Sequence, residues 1–262
     1  MDEPVSTEQT PRPAGRIHFM DEVRGFDLLL MIAFHGFYTM GWVFGYPAGQ
    51  FLFRFFQPVE PFFAGLFIFI CGISCHLSHS NLRRGLALAG VAAVISLFLW
   101  FFMREDMIWF GILHFLAIAI LLFALCRPLL DRIPLWAGLA VCALLLLLTW
   151  WIPNYEGPGF FGVKGLFELP VPQSLWGSPW LMPLGLGEPM GSDYFPILPW
   201  IFCFLAGTFT GRLAKAGRFP RWMYKSRARW LSWLGRHTLV IYVVHQPVLF
   251  GIFWLVSLVL PA

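Results

Sequence analysis

Long apolar runs alternate with short polar connectors along most of the chain. Several runs approach the roughly 20 residues that a helix needs to cross a bilayer. They lack the ten-residue units of alternating polarity that are typical of a transmembrane β-barrel. Because backbone groups inside lipid must bond within their own segment, each run is predicted to be a helix. The predicted spans are residues 26–45, 58–77, 86–103, 108–126, 135–152, 194–211 and 238–260.

The basic residues predict the orientation of this all-α, polytopic membrane protein of about seven transmembrane helices. Cytoplasmic loops of membrane proteins carry an excess of Lys and Arg. When the seven spans are threaded through a bilayer, fifteen basic side chains fall on the side of the N-terminus. Only Arg54, Arg104 and Lys164 fall on the other side. The N-terminus is therefore predicted to be cytoplasmic and the C-terminus external.

Composition supports the membrane assignment and limits the partners. Hydrophobic residues make up 58% and charged residues 12% of the chain, whereas a soluble domain is about 45–50% apolar and about 25% charged. The net charge of +4 is explained by basic loops that face anionic lipid headgroups. No groove-reading or base-stacking motif accompanies this charge, so nucleic acid is not an expected partner. The lipid bilayer is the expected partner.

Two segments differ from the short connectors. Residues 1–15, which are rich in Pro, Thr and Glu, are predicted to be a disordered cytoplasmic tail. This leaves residues 16–262 as the transmembrane domain. Residues 153–193 form a long external connection that contains seven prolines and many aromatic residues. Since a loop of this length is either functional or disordered, its aromatic content favours an ordered lid on the membrane surface.

Histidines lie within the predicted spans, where ionisable side chains are costly and indicate functional sites. His35 lies about ten residues into the first span, near the bilayer midplane for a rise of 1.5 Å per residue. Asp27, eight residues earlier, shares its helix face. Arg24 is spaced to pair with Asp27 at the cytoplasmic mouth.

His114 and His245 lie in the fourth and seventh predicted spans. Gln246 and Pro247 follow His245, and a proline inside a helix predicts a local break with freed carbonyl groups. Together the three histidines predict a polar cavity through the bundle. The sequence leaves open the alternative that each imidazole only forms a hydrogen bond between packed helices.

Polar side chains also gather at the predicted cytoplasmic end of the second span. Hydroxyl, amide and guanidinium groups suit phosphate oxygens, and the free N–H groups of the next helix begin here. The alternative is a helix cap followed by arginines that only set the topology. The residues concerned are Ser74, Asn81, Arg83 and Arg84.

The five cysteines lie in or at the ends of apolar spans, so a secreted disulfide framework is not expected. Cys71, Cys75 and His79 are spaced to share one helix face, which leaves a metal site as an alternative. Small residues that ease close helix packing explain the same segment better. No metal site is therefore predicted.

Five short motifs follow one another on this topology. Together they resemble the heparan-α-glucosaminide N-acetyltransferase catalytic-domain family in its compact bacterial branch, over about residues 16–255. One motif alone is weak, whereas five in order are specific. They are Arg24 and Gly25 with His35, residues 69–75 with 78–85, residues 110–115, residues 193–200 and residues 234–247.

The resemblance implies that residues 16–262 form a transmembrane acyltransferase domain. It implies transfer of an acetyl or other acyl group from cytoplasmic acetyl-CoA, as co-substrate, to an amine or hydroxyl of an extracytoplasmic, sugar-like acceptor. The lysosomal members have more helices and a luminal domain, so their sugar-polymer specificity is not expected here. The implied location is a bacterial cytoplasmic (inner) membrane, and a homodimer is left open.

Candidate roles follow from the resemblance together with the chemistry of the side chains. The catalytic candidates are His35 as the base, with His114 and His245 orienting the acceptor or stabilising the oxyanion. The candidates for binding CoA phosphates are Arg24, Ser74, Asn81, Arg83, Arg84 and Arg236. The candidates for binding the acceptor are Asp27, Asp193 and Gln246. Direct transfer in a ternary complex and transfer through an acetyl-histidine both fit.

The alternative function is a small-molecule or proton-coupled transporter that uses the membrane-buried histidines. Broken helices at matching places in two repeats would favour it. The sequence contains one such proline, Pro247, and no internal repeat. A membrane module without catalytic activity is the remaining alternative, and the enzyme is the favoured interpretation.

Overall fold

A computed structural model describes residues 15–191 and 193–260. The predicted tail therefore lies outside the described residues except for its last residue. The α-helices are α1 (His18–Tyr38), α2 (Pro47–Phe56), α3 (Glu60–Cys75), α4 (Asn81–Phe102), α5 (Ile112–Leu130), α6 (Leu135–Thr149), α7 (Gln173–Trp176), α8 (Ile197–Lys215), α9 (Arg229–Arg236) and α10 (Thr238–Ser257). Two short strands, β1 (Phe160–Val163) and β2 (Phe167–Pro170), form an antiparallel hairpin.

Among the described residues, six helical stretches are long and apolar enough to cross a membrane. They are His18–Val43, Pro47–Cys75, Asn81–Phe102, Ile112–Leu130, Ile197–Lys215 and Thr238–Ser257. The prediction of an all-α, polytopic membrane protein is confirmed. The predicted fifth span is α6, an apolar helix of 15 residues. Its length is about 22 Å at 1.5 Å per residue, whereas the hydrocarbon core is about 30 Å thick.

Local sequence explains several helix boundaries. A π-helical segment, Thr39–Val43, extends α1, and Pro47 occupies the first turn of α2, where a missing N–H costs nothing. The hydroxyl of Ser80 accepts a hydrogen bond from the Arg83 N–H and caps α4. The predicted break at Pro247 is wrong, because α10 runs continuously through that residue. Helices in membranes tolerate proline where neighbours satisfy the freed backbone groups.

The chain divides into two compact units, Met1–Ala64 with Leu213–Ala262 and Gly65–Arg212. In the first unit, a Cβ on Gly25 would overlap the carbonyl of Leu231, so α1 and α9 are in backbone contact. The ring of His35 lies beside that of His245, and further along the Tyr46 hydroxyl bonds to a carbonyl of residue 260. Because these contacts advance in the same direction along both helices, α1 and α10 run parallel.

In the second unit, α3 and α8 also run parallel. Gly65 lies against Trp200, and Gly72 lies against the backbone of Phe204, where only glycine leaves room. Helices α6 and α8 are antiparallel. Gly138 contacts the ring of Phe209, and the rings of Trp150 and Trp200 are 5.6 Å apart.

The parallel direction of α1 with α10, and of α3 with α8, limits the number of times the chain crosses the membrane. Two membrane-spanning helices run in the same direction only if an odd number of crossings lies between them in the chain. Between α1 and α10, and between α3 and α8, that condition holds only when α6 also crosses. The packing within each unit therefore favours seven crossings, with the chain ends on opposite sides. Which side is cytoplasmic stays a prediction from the charges.

Residues 153–193, the predicted lid, contain the β-hairpin, α7 and a short 3₁₀ helix, Pro179–Leu184. The segment is tied to the residues after it: the Tyr194 hydroxyl donates to the carbonyl of Met182 at 2.6 Å. Burial raises the pKa of the Tyr194 phenol, which keeps it a hydrogen-bond donor. That the segment acts as a lid on the membrane surface stays a prediction.

The crossing of α6 can be tested with single cysteines at Arg132 and Glu156, which flank it and are both exposed. The exposed Cys126 is first replaced by Ser. A membrane-impermeant maleimide should label Glu156→Cys in intact cells and Arg132→Cys only after permeabilisation. Lys215→Cys provides a control for the predicted cytoplasmic side. Labelling of positions 132 and 156 from the same side would contradict seven crossings.

Candidate functional site

The predicted site residues are distributed over both units, and each group is described within its own unit. The first unit contains Arg24, Asp27, His35, Arg236, His245 and Gln246. The second contains Ser74, Asn81, Arg83, Arg84, His114 and Asp193.

In the first unit, two of the three predicted catalytic histidines are neighbours. The ring centroids of His35 on α1 and His245 on α10 are 5.0 Å apart, in an edge-to-face arrangement. The parallel packing of α1 and α10 brings them together. His245 is only 9% exposed. The structure thus places an imidazole pair inside a helical bundle.

The hydrogen bonds of His245 determine which ring nitrogen is able to accept a proton. Its Nδ1 lies 2.5 Å from the carbonyl oxygen of Tyr242. Because a carbonyl only accepts, Nδ1 carries the hydrogen, and in the neutral ring Nε2 is the acceptor. This Nε2 is buried and has no hydrogen-bond partner among the described residues. The carbonyl therefore orients the ring and leaves Nε2 available for a proton or a ligand.

Gln246 and Thr39 complete this group, which we call the histidine cluster (His35, Thr39, His245 and Gln246). The Gln246 amide donates to the Thr39 hydroxyl at 3.0 Å, whereas its Oε1 has no partner among the described residues. Thr39 is fully buried and begins the π-helical segment, a distortion that is frequent at functional sites. The unsatisfied atoms of the cluster are hydrogen-bond acceptors, which suits a ligand that carries N–H or O–H groups.

Asp27 lies deeper than the sequence predicted. The predicted pair with Arg24 is wrong: Arg24 instead approaches Asp21 at 3.4 Å, and Asp21 also binds Arg16 at 2.6 Å. A residue at i−3 is as close on the helix surface as one at i+3, and Asp21 faces both arginines. Asp27 is 2% exposed, and neither carboxylate oxygen has a hydrogen-bond partner among the described residues.

The position of Asp27 makes it a candidate ligand group. It lies about 12 Å from His35 along α1 for a rise of 1.5 Å per residue. A buried carboxyl group without a partner is unfavourable for folding. Such a group is explained if a bound hydroxyl, amine or water satisfies it.

Arg236 is exposed at the end of α9, and its Nε donates to the carbonyl of Ser232 at 3.2 Å. The helix that carries it is fixed to α1 through Glu22. One carboxylate oxygen of Glu22 accepts from the N–H groups of Arg227 and Ala228 at 2.6 and 2.9 Å. The helix that carries Arg236 is therefore fixed to α1, and the exposed guanidinium group is accessible to an anion.

In the second unit, most of the predicted phosphate ligands bond within the α3–α4 turn. The guanidinium of Arg84 points at Cys71 and Cys75, with N–S distances of 3.0 and 3.9 Å. The Asn81 amide donates to the carbonyl of Cys75 at 2.9 Å, and the Ser74 hydroxyl donates to that of Ile70 at 2.8 Å. The contacts of Arg84 and Asn81 join α4 to the end of α3, whereas the Ser74 bond lies within α3.

Arg83 differs from its neighbour Arg84. It is exposed, and its side chain makes no hydrogen bond with a described residue. It lies in the first turn of α4, where free N–H groups favour an anion. Of the four side chains predicted at this turn, Arg83 is the one best placed to bind a phosphate.

His114 has both ring nitrogens engaged. The Gly111 N–H donates to Nδ1 at 3.3 Å, and Nε2 lies 3.1 Å from the Ser96 hydroxyl. Because that hydroxyl donates to the carbonyl of Ile108, Nε2 carries the hydrogen and donates to Ser96. His114 thus connects α4 to the start of α5, and a role as base would break this connection.

Asp193 lies at the same end of α5. Its Oδ2 accepts from the Ile112 N–H at 3.4 Å, as a cap on the first turn. The structure therefore gives Asp193 a capping contact at the start of α5.

One known family matches most of the chain. The family model for the catalytic domain of heparan-alpha-glucosaminide N-acetyltransferase matches residues 16–247. The chain belongs to this family. Among curated proteins and solved structures, none matches the chain. The resemblance inferred from the five motifs is confirmed, and membership indicates a transmembrane acetyltransferase.

The sequence did not predict several residues of this acetyltransferase that contact the candidate site. Thr39 had a usable signal, since it follows His35 by one helical turn. The carbonyl of Tyr242 had none, because every residue carries a carbonyl. Cys71 was assigned to packing, although it contacts Arg84. Among the described residues of the acetyltransferase, no three His, Cys, Asp or Glu side chains gather in a way that would hold a metal ion.

Adjacent arginines of the acetyltransferase provide a matched pair of variants. If Arg83 binds a CoA phosphate, Arg83→Gln should weaken acetyl-CoA binding by about tenfold or more, since a charge-assisted hydrogen bond contributes about 1.5–3 kcal/mol. Arg84→Gln should instead lower the melting temperature, because it removes the contacts to two buried thiols. Calorimetric titration with CoA and thermal unfolding of the purified protein measure the two effects. Unchanged affinity for CoA in a folded Arg83→Gln variant would show that Arg83 contributes to membrane topology and not to CoA binding.

Proposed function

We propose that this protein transfers an acetyl group from cytoplasmic acetyl-CoA to an amine or hydroxyl of an extracytoplasmic, sugar-like acceptor. Family membership supports acetyl transfer as the reaction. The observation that carries the proposal further is the buried Nε2 of His245, which has no hydrogen-bond partner among the described residues. The ring of His245 lies beside that of His35, with the two ring centroids 5.0 Å apart. A reaction that removes a proton from an acceptor requires such an atom.

The proposed chemistry balances without a further reactant. The nitrogen or oxygen of the acceptor attacks the thioester carbonyl carbon, a new C–N or C–O bond forms, and the C–S bond breaks. The proton of the acceptor passes to the imidazole pair, and CoA leaves as the free thiol once its sulfur is protonated. His35 is the proposed base, and Nε2 of His245 is the adjacent site that is able to take the proton.

The acceptor class is supported by the polarity of the unsatisfied atoms in the histidine cluster. Oε1 of Gln246 and, in the neutral ring, Nε2 of His245 are acceptor atoms without a partner among the described residues. A sugar or polyol, rich in hydroxyl groups, supplies complementary donors. An amino sugar supplies an N–H donor as well.

The donor is proposed to bind from the cytoplasmic side. Arg83 and Arg236 are exposed and basic, and guanidinium groups are well suited to phosphate oxygens. The charge pattern supports the cytoplasmic assignment of both residues. The helices imply a lipid bilayer, and we propose a bacterial cytoplasmic membrane as its location.

The activity can be tested by measuring the release of free thiol from acetyl-CoA by the purified protein. The acceptors would be a panel of amino sugars, polyols and lipid-linked sugars. Thiol release that depends on both acetyl-CoA and an acceptor, with acetylated product in equal amount, is the expected result. Saturable CoA binding separates the enzyme from a histidine-lined transporter. Absence of CoA binding by folded protein would contradict the proposal.

Asparagine substitutions separate the roles of the three histidines. His35→Asn and His245→Asn keep much of the side-chain volume and can form hydrogen bonds, but cannot accept a proton at neutral pH. Each should lower the transfer rate by about 10²–10⁴-fold, the usual contribution of a general base, while CoA affinity stays unchanged. Turnover and CoA titration of each variant provide the measurements.

His114→Asn is the matched control, because His114 is occupied by contacts to Gly111 and Ser96. It should lower thermal stability and leave the pH dependence of the remaining activity unaltered. If His35→Asn keeps most of its activity, His35 positions a group and is not the base. A trapped acetyl group on either imidazole would favour the acetyl-histidine route.

A further inference from the structure

The β-hairpin after α6 has two chemically different faces. Residues opposite each other in an antiparallel pair point to the same face, and Phe161 pairs with Leu169 while Val163 pairs with Phe167. These four side chains form one face, which we call the apolar face. The opposite face contains the polar Glu168, which pairs with Gly162, and the pair Phe160 and Pro170 beside α6.

In the described part of the chain, the apolar face is exposed along β2. Phe167 is 52% exposed, Leu169 is 58% exposed, and Leu166 in the turn is 84% exposed. On the other face, the carboxylate of Glu168 accepts from the N–H of Gly165 at 2.7 Å and closes the turn. A hairpin with this polarity in water would expose a large apolar surface without benefit.

The hairpin is fixed to the C-terminal end of α6. The Phe160 N–H donates to the carbonyl of Trp151 at 3.1 Å. The rings of these two residues are stacked, with centroids 6.0 Å apart. The ammonium group of Lys164 lies 5.2 Å from the centre of the same Trp151 ring. The hairpin therefore continues the surface of α6.

That surface of α6 is apolar, and the helix is short. Val141, Leu144 and Leu147 are each more than half exposed, as expected of side chains that face lipid tails. The helix falls about 8 Å short of the hydrocarbon thickness, from the rise per residue and the thickness of the core. Trp150 and Trp151 at its end are of the type enriched at the membrane–water boundary.

We propose that the apolar face of the hairpin binds the lipid interface of the leaflet at the C-terminal end of α6. The occupant is the boundary between headgroups and acyl chains, about 5–10 Å deep for interfacial elements. Unpaired strand edges exclude the hairpin from the hydrocarbon centre. At the boundary, the edges stay hydrated while Leu166, Phe167 and Leu169 contact acyl chains. Lipid contact by the hairpin thus completes the short crossing made by α6, the fifth in chain order.

Neighbouring residues on opposite faces of β2 provide the test. Leu169→Cys and Glu168→Cys, each in a Cys126→Ser background, are labelled with an environment-sensitive nitrobenzoxadiazole dye and placed in phosphatidylcholine nanodiscs. The dye at position 169 should emit at shorter wavelength. A nitroxide lipid spin-labelled near the headgroup should quench it several-fold more than aqueous iodide does. The dye at position 168 should show the reverse preference.

Two outcomes overturn the proposal. Equal iodide quenching at positions 168 and 169 would show that the hairpin lies in water. A blue shift at position 169 without quenching by the nitroxide lipid would show that protein covers the face, such as a second copy of this chain. Phe167→Cys, on the same face, repeats the test if the variant at 169 fails to fold. The readout does not depend on acetyl transfer, so it is independent of the proposed function.

Discussion

Hydrocarbon offers no hydrogen-bond partners, and this constraint governs the architecture of the protein. Backbone groups must bond within their own segments, which requires helices, and polar side chains must find partners on neighbouring helices. Several do: Arg84 contacts two thiols, and His114 has both nitrogens occupied. Against this background, an unsatisfied buried atom is informative because the fold gives it no structural role.

Hydrogen bonding distinguishes two histidines that have the same status as candidates in the sequence. His114 and His245 both lie in membrane-spanning helices. His114 is occupied on both sides, whereas His245 donates once and keeps Nε2 free. An oriented imidazole with a free lone pair is what acid–base chemistry needs. The same reasoning distinguishes exposed Arg83 from Arg84, which is committed to packing.

Close backbone contacts determine the order of the helices, and with it the topology. Gly25 against α9, and Gly72 against α8, let neighbouring backbones touch where lipid supplies no hydrophobic force between helices. The parallel pairs, α1 with α10 and α3 with α8, are compatible with the chain connectivity only if the short helix α6 crosses as well. The hairpin that follows α6 carries exposed apolar side chains, and these extend the lipid-facing surface of this short helix. Helix length and loop chemistry are thus linked in this protein.

The sequence by itself determined the membrane class, six of the spans, the family and the candidate histidines. It did so because apolar length and motif order are local properties, readable from consecutive residues. Tertiary structure decided that His35 meets His245, that Arg24 turns to Asp21 rather than Asp27, and that α10 passes Pro247 unbroken. Each of these depends on which helices are neighbours, and on which atoms remain unpaired once they have packed. No spacing along one helix contains that information.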